Sequence, residues 1–279
     1  MREVIEVERL RARPVITEEQ IAADLRRLGL GTGDRVFFHS SLRSIGYVEG
    51  GAEAVIRAFQ EVVGPTGTVM VPTFAWERRR FDVARTPSRV GRITEVFRQQ
   101  PGVLRSWHPT HSVAVWGADA AALIEGHHLM PPLGPDSPPA RLARLGGYVL
   151  LLGVGHNRNS TIHVGEACAD VPYWGHTCSK PAEPMPVVLP SGQVIHVPLL
   201  RPPGCSAGFE AIGPILEARG LVRKGFVGTA PVQLMRGQDL INTVIDLLRE
   251  DPAALLCANP TCASCNRARE ILAQASCSV

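Results

Sequence analysis

The chain has 279 residues, of which 20% are charged and 5% aromatic, with a formal net charge of +3. That length can bury the core of one large domain, and the composition is that of an ordinary globular protein. So small a charge excess argues against a nucleic-acid-binding surface, and no apolar run is long enough to span a bilayer. Residues 1–17 are charged and lack the apolar centre of an export signal. Seven cysteines, an odd number without an export signal, read as reduced thiols or metal ligands in a cytoplasmic protein.

Residues 17–28 carry Glu18 and Glu19 in a first turn and Ile21, Ala22, Leu25 and Leu28 at helical spacing, with Thr17 as N-cap. Residues 35–38 predict a strand running into His39-Ser40-Ser41-Leu42, and Gly50-Gly51 precedes a helix over 52–63. Strand, hydroxyl loop, glycines and helix N-terminus together suit an anion. No Walker-type loop accompanies them, so the signal by itself is weak. Residues 68–71 form the next strand, ended by Pro72. This alternation predicts an α/β fold with a largely parallel central sheet flanked by helices in αβα layers.

Residues 75–105 hold eight arginines against three acidic residues, Glu77, Asp82 and Glu95. Such an excess suits a phosphate-bearing ligand, or equally a solvated, lid-like loop followed by a helix over 93–99. His108-Pro109-Thr110-His111 leads into a strand over 113–116, and two histidines without an acidic partner are a poor metal signal. A short helix over 119–126 follows. Five prolines argue against regular structure over 130–139, and a helical turn follows at 141–145.

The apolar run 148–152 has the length of a strand buried on both faces. It ends in Gly153 and Gly155, followed by a polar loop and a segment holding His163 and Glu166. If that segment is helical, the pair shares a face. A strand end, a glycine turn and a His/Glu pair is where open α/β sheets place their chemistry, although a surface histidine fits the same pattern. Beyond it, residues 187–189 and 194–197 flank Pro190-Ser191-Gly192 and predict a small β-hairpin insertion. Helices are expected over 209–219 and 239–250, with a compact turn over 225–230. No repeat or linker interrupts the chain, so 1–279 is expected to form a single domain.

At His39-Ser40-Ser41-Leu42, Gly67-Thr68, His108-Pro109-Thr110-His111-Ser112 and above all residues 153–166, the chain resembles the aminoglycoside 3-N-acetyltransferase family. The likeness runs from about residue 17 to about residue 250, and the tail is most similar to the apramycin-acetylating branch. The resemblance implies an acyltransferase of antibiotic resistance, moving acetyl from acetyl-CoA to the 3-amino group of a 2-deoxystreptamine aminoglycoside. It implies direct transfer in a ternary complex. A monomer or homodimer with no nucleic-acid or membrane partner is the accompanying expectation. An ammonium is no nucleophile, so a base must take its proton, and His163 suits that task. Glu166, or Glu210 further on, would orient the ring. Thr161 or loop N–H groups would meet the thioester oxygen. The resemblance has His39, Ser40, Ser41, Ser112 and Val113 lining the cofactor.

Aminoglycosides are polycations and need several carboxylates. The candidates here are Glu166, Asp136, Glu183 and Asp170, the last taken as a substrate contact. So few acids leave open a related N-acyltransferase acting on a different primary amine, for example in secondary metabolism. Cys262-x-x-Cys265, with Cys257 before it, is half of a structural zinc site. Cys205, with Cys178 or His176, would complete it by similarity to the same branch; incidental thiols are the alternative reading.

Overall fold

Strands and helices alternate along most of the chain. In the computed structural model, residues 14–76, 79–178 and 183–276 are described. Residues 1–13, Glu77 and Arg78 of the arginine-rich stretch, and Cys277 lie outside them. β1 (Val15–Ile16) leads into α1 (Glu18–Leu28), capped by the Thr17 side chain and closed by Gly29 in the left-handed region. β2 (Arg35–Ser40), α2 (Leu42–Ile45), β3 (Tyr47–Val48), α3 (Gly51–Val63) and β4 (Thr68–Pro72) follow. Next come β5 (Phe81–Asp82), α4 (Arg92–Phe97), β6 (Leu104–Arg105), β7 (Val113–Gly117), α5 (Ala120–Ile124) and α6 (Pro138–Arg144). β8 (Tyr148–Leu152) and α7 (Thr161–Cys168) come next. β9 (Met185–Val188), β10 (Val194–Val197), α8 (Ile212–Ala218), β11 (Val222–Val227), β12 (Ala230–Arg236), α9 (Gly237–Glu250) and α10 (Ala263–Ser276) complete it.

The main sheet has seven strands in the order β11-β12-β8-β2-β4-β7-β6. Its period-two alternation sorts side chains into two cores. Val36, Phe38, Leu150 and Leu152 face α1 and α3. Val149 and Leu151 face α7, α8 and α9, while Phe37 and Met70 face α5 and α6. The layered α/β architecture is therefore present, but the sheet is mixed. Only the neighbouring pairs β8–β2 and β2–β4 are parallel; the pairs β11–β12, β12–β8, β4–β7 and β7–β6 are antiparallel. The β–α–β pattern is confined to the middle, and hairpin connections build the edges.

The expected hairpin at β9 and β10 forms, and β5 joins it in a three-stranded sheet. Two expectations need correction. Pro138 and Pro139 open α6 rather than ending structure, because the first helical positions need no amide hydrogen. The turn expected over 225–230 is narrower: Gly228-Thr229 turns between β11 and β12, with Gly228 at φ 56°. The Gly228 N–H donates to the buried Asp24 carboxylate (2.8 Å), which ties this hairpin to α1. No helix among the described residues is long and apolar enough to cross a membrane.

Gly165 decides how closely α7 approaches α9. A methyl group there would overlap the Val244 side chain, so only glycine lets the two helices meet at this separation. Gly165→Ala should destabilise the protein by about 1–3 kcal/mol, the cost of overpacking a dense core. Adding Val244→Ala should recover part of that loss. Urea unfolding of both variants checks this, and an unchanged midpoint for the single variant would count against the tight contact.

Candidate active site

Ser40, the last residue of β2, lies beside Leu152, the last of β8, and His39 lies beside Leu151. The carboxyl ends of the parallel strands and the loop entering β7 surround a cavity of about 740 Å³. Open α/β sheets leave their binding crevice at such strand ends. His39 and Ser40 form one part of the wall, Phe74 and Trp76 another, and Arg89 a third. His108, Thr110 and His111 come from the loop before β7; Arg158, Asn159, Ser160 and His163 come from the turn into α7.

The first turn of α7 sets His163 on this wall. Its Nδ1 lies 2.6 Å from Glu166 Oε2, three residues along the same helix face, and the two side chains are 7% and 6% exposed. Phe209 packs edge-on against the imidazole, with ring centroids 4.7 Å apart. An ionised carboxylate only accepts hydrogen bonds, so Nδ1 carries the proton and Nε2 keeps its lone pair for a ligand. Asn159 caps the turn before α7: its Oδ1 accepts from the Thr161 N–H at 3.2 Å.

Other imidazoles crowd the same region. Burial pushes His39 down to about 3. Burial, reinforced by the charges of His163 and His127, pushes His111 down to about 3. Burial is also the main cause that lowers His127 to about 4 and His108 well below the usual histidine range. All four are neutral near pH 7. Within the protein, His39 Nε2, His108 Nε2 and Ser160 Oγ have no hydrogen-bond partner although each belongs to a cavity-lining residue. Unpartnered buried polar atoms on a wall are what a ligand's polar groups satisfy.

The remaining expected site residues are placed differently. Glu210 does not reach His163: its carboxylate accepts from the Asn157 N–H at 3.0 Å and packs against Gly155, so it braces the loop after β8. The Thr161 hydroxyl is fully buried without a partner, and Thr161 is absent from the wall. Ser160, one residue earlier, takes the wall position instead. The Ser41 hydroxyl accepts from Ser44 (2.9 Å) outside the cavity. Ser112 and Val113 are fully buried in the sheet. The Ser112 hydroxyl donates to Thr73 O and accepts from Arg105 Nε, so neither residue lines the cavity. Asp170 is exposed just past the far end of α7, with φ 53°, away from the wall. Asp136 pairs with Arg144 at the surface, and Glu183 is also exposed.

Of the described arginines in the basic stretch, only Arg89 lines the cavity. Arg105 is buried, donating to Thr73, Val83 and Thr86 carbonyls above the Phe81 ring; burial pushes it down to about 9. It holds the loop between β4 and α4 against the sheet. Phe74 and Trp76 are wall residues outside the sequence motifs, and Arg158, Asn159 and Ser160 fall within the motif over 153–166 without being assigned a site role there. The polar run 156–160 before a helix carries an N-cap signal that marks Asn159 and Ser160 once it is looked for.

Away from this cavity, the Sγ atoms of Cys205, Cys257, Cys262 and Cys265 all lie within 4.8 Å of one another. Cys257 thus joins the three cysteines expected together. The Cys178 thiol donates instead to Pro203 O at 3.3 Å, and neither Cys178 nor His176 belongs to the cluster.

Residues 37–249 match the family described as Aminoglycoside 3-N-acetyltransferase. The chain is 35% identical over 272 residues to aminoglycoside N(3)-acetyltransferase VII of Streptomyces paromomycinus, covering 84% of this chain and 92% of that protein. Its structure is similar to a mutant of aminoglycoside acetyltransferase AAC(3)-IVa in complex with a gentamicin, with TM-score 0.82, 32% identity and coverage of 92% and 98%. It is also similar to AAC-IIIb bound to CoASH, with TM-score 0.75, 29% identity and coverage of 85% and 97%.

The neutral histidines give stability a direction with pH. Unfolded histidine titrates near 6.5, while His39, His111 and His127 titrate at about 3, 3 and 4 in the fold. Below about pH 6.5 the unfolded chain therefore binds more protons, so stability falls with pH until the folded values are reached. Each histidine adds a slope of up to about 1.4 kcal/mol per pH unit inside that window. Urea unfolding between pH 7 and 5 should show a steep loss that is shallower in His39→Gln. A flat profile would contradict the buried, neutral assignment.

Proposed function

The chain belongs to the aminoglycoside 3-N-acetyltransferase family, and from that premise we propose that it moves the acetyl group of acetyl-CoA to a primary amine in one ternary complex. The observation that carries this reading is the 2.6 Å contact between His163 Nδ1 and Glu166, with His163 on the wall of the 740 Å³ cavity. Nε2 of His163 takes a proton from the amine as its nitrogen attacks the thioester carbonyl carbon. Glu166 holds the tautomer and stabilises the imidazolium as it forms. Negative charge gathers on the carbonyl oxygen, and the Ser160 hydroxyl is the donor assigned to it. Collapse of the tetrahedral intermediate breaks the C–S bond, and the departing CoA thiolate receives the proton. One N–H and one C–S bond are exchanged for one C–N and one S–H bond, with no acyl-enzyme. His39 and Ser40, at the end of β2, are assigned to the thioester arm.

The gentamicin-bound neighbour and the named relative support a 2-deoxystreptamine aminoglycoside, acetylated on its 3-amino group, as acceptor. One observation favours a second reading, an N-acyltransferase for a less cationic amine. Among the described residues, the cavity is lined by Arg89 and Arg158 and by no aspartate or glutamate. A polycation gains little from such a wall.

Thiol release from acetyl-CoA across a panel of aminoglycosides and simpler primary amines tests both. Release with a 2-deoxystreptamine aminoglycoside, and a 3-N-acetyl product by mass spectrometry and NMR, is the expected result; release only with other amines would select the second reading. His163→Ala should lower kcat by about 100-fold or more, whereas Glu210→Gln should leave kcat near that of the parent. Undiminished turnover in His163→Ala would remove the proposed base.

A further inference from the structure

Four cysteines from two distant segments meet behind the helix that carries Glu166. Cys205 lies in the loop before α8; Cys257 and Cys262 lie in the turn after α9, and Cys265 in the first turn of α10. Their four Sγ atoms fall within 4.8 Å of one another, and all four thiols are free. A tetrahedral zinc ion with Zn–S bonds of about 2.3 Å holds its sulfurs about 3.8 Å apart. The observed spread needs only a small contraction to reach that geometry.

Two further observations suit thiolates. The Ala207 N–H donates to Cys205 Sγ at 3.4 Å, and the Cys257 N–H donates to Cys265 Sγ at 3.3 Å. Backbone donors on ligand sulfurs orient them and spread their charge, as outer partners do around metal sites. Cys257 and Cys265 are 6% and 1% exposed. Four converging sulfurs with no oxygen or nitrogen ligand make a closed, soft, tetrahedral set, which selects zinc for a structural rather than a catalytic site.

We propose that Cys205, Cys257, Cys262 and Cys265 bind one structural zinc ion that locks the C-terminal segment onto the cavity-lining loop around Cys205. The two segments are already fitted to each other. A methyl group at Gly208, three residues past Cys205, would overlap Leu255 O and crowd the Cys257 amide nitrogen. Pro203, Gly204 and Ser206, beside Cys205, line the large cavity. Ser206 also donates to Asn157 O at 2.9 Å, across the cavity rim. The ion would therefore brace one wall of the site without contacting the reacting groups.

Metal analysis of the full-length protein, purified under reducing conditions without added metal or chelator, tests this directly. About one zinc per chain is expected; Cys262→Ser should lose it, while Cys168→Ser, outside the cluster, should keep it. Chelator treatment of the parent protein should lower its melting temperature. Cobalt added to the stripped protein should produce the charge-transfer and ligand-field bands of a tetrahedral thiolate site, a readout that needs no cysteine variant to fold. Less than about a tenth of an equivalent of zinc with no cobalt–thiolate spectrum would overturn the proposal, as would stoichiometric iron or two disulfides among the four cysteines.

Discussion

Seven of the eight residues of α7 are buried, so this helix has no solvent face on which to shift. Its position is set by contact with α9 at Gly165 and by the β8 turn that feeds it. The His163–Glu166 bond lies within the helix and survives small displacements of it. The relation of His163 to the ends of β2 and β4 does not, because those side chains belong to other elements. The close contact at Gly165 therefore holds His163, the proposed base, in register with the cavity, and a displacement of even 1 Å at a reacting centre is costly.

The electrostatics of the cavity follow from burial. His39, His108, His111 and His127 lose most of their affinity for a proton through desolvation. Among these buried cavity-side imidazoles, His163 alone is bonded to a carboxylate in the described structure. A wall of neutral imidazoles offers hydrogen-bond donors and acceptors without opposing the charge that develops on His163. The charge of His163 adds to burial in disfavouring protonation of His111.

The sequence is most readable where local pattern and tertiary role coincide. The run 148–152 is apolar because β8 is buried on both faces, and the three-residue spacing of His163 and Glu166 is a helical spacing. The mixed sheet is hidden because its antiparallel edges depend on long-range pairing that β–α–β alternation does not encode. Ser112 and Val113 sit beside a cavity loop in sequence, yet strand geometry turns both into the sheet, where Arg105 recruits the hydroxyl. The role of Glu210 is similarly hidden, since its contact with Asn157 joins positions 53 residues apart. The cysteine spacing marks Cys262 and Cys265, while Cys205 is reached only through the family resemblance, because its approach depends on loop packing that spacing does not encode.

The two long excursions of the chain, after β4 and after α7, join in the sheet of β5, β9 and β10. They meet there because β4 and β8 run parallel and leave the main sheet at the same end, the carboxyl ends of the strands. Arg105 secures the first excursion through backbone carbonyls, and Ser206 secures the loop beyond the second through Asn157 O. The proposed base sits on a buried helix, while much of the cavity wall that would face an acceptor is built from these loops. Loop side chains can change with little effect on a core helix, so acceptor preference is free to vary around a fixed His163–Glu166 pair. Family membership and acceptor identity are therefore carried by different parts of this fold, and the arginine-lined wall bears on the second without weakening the first.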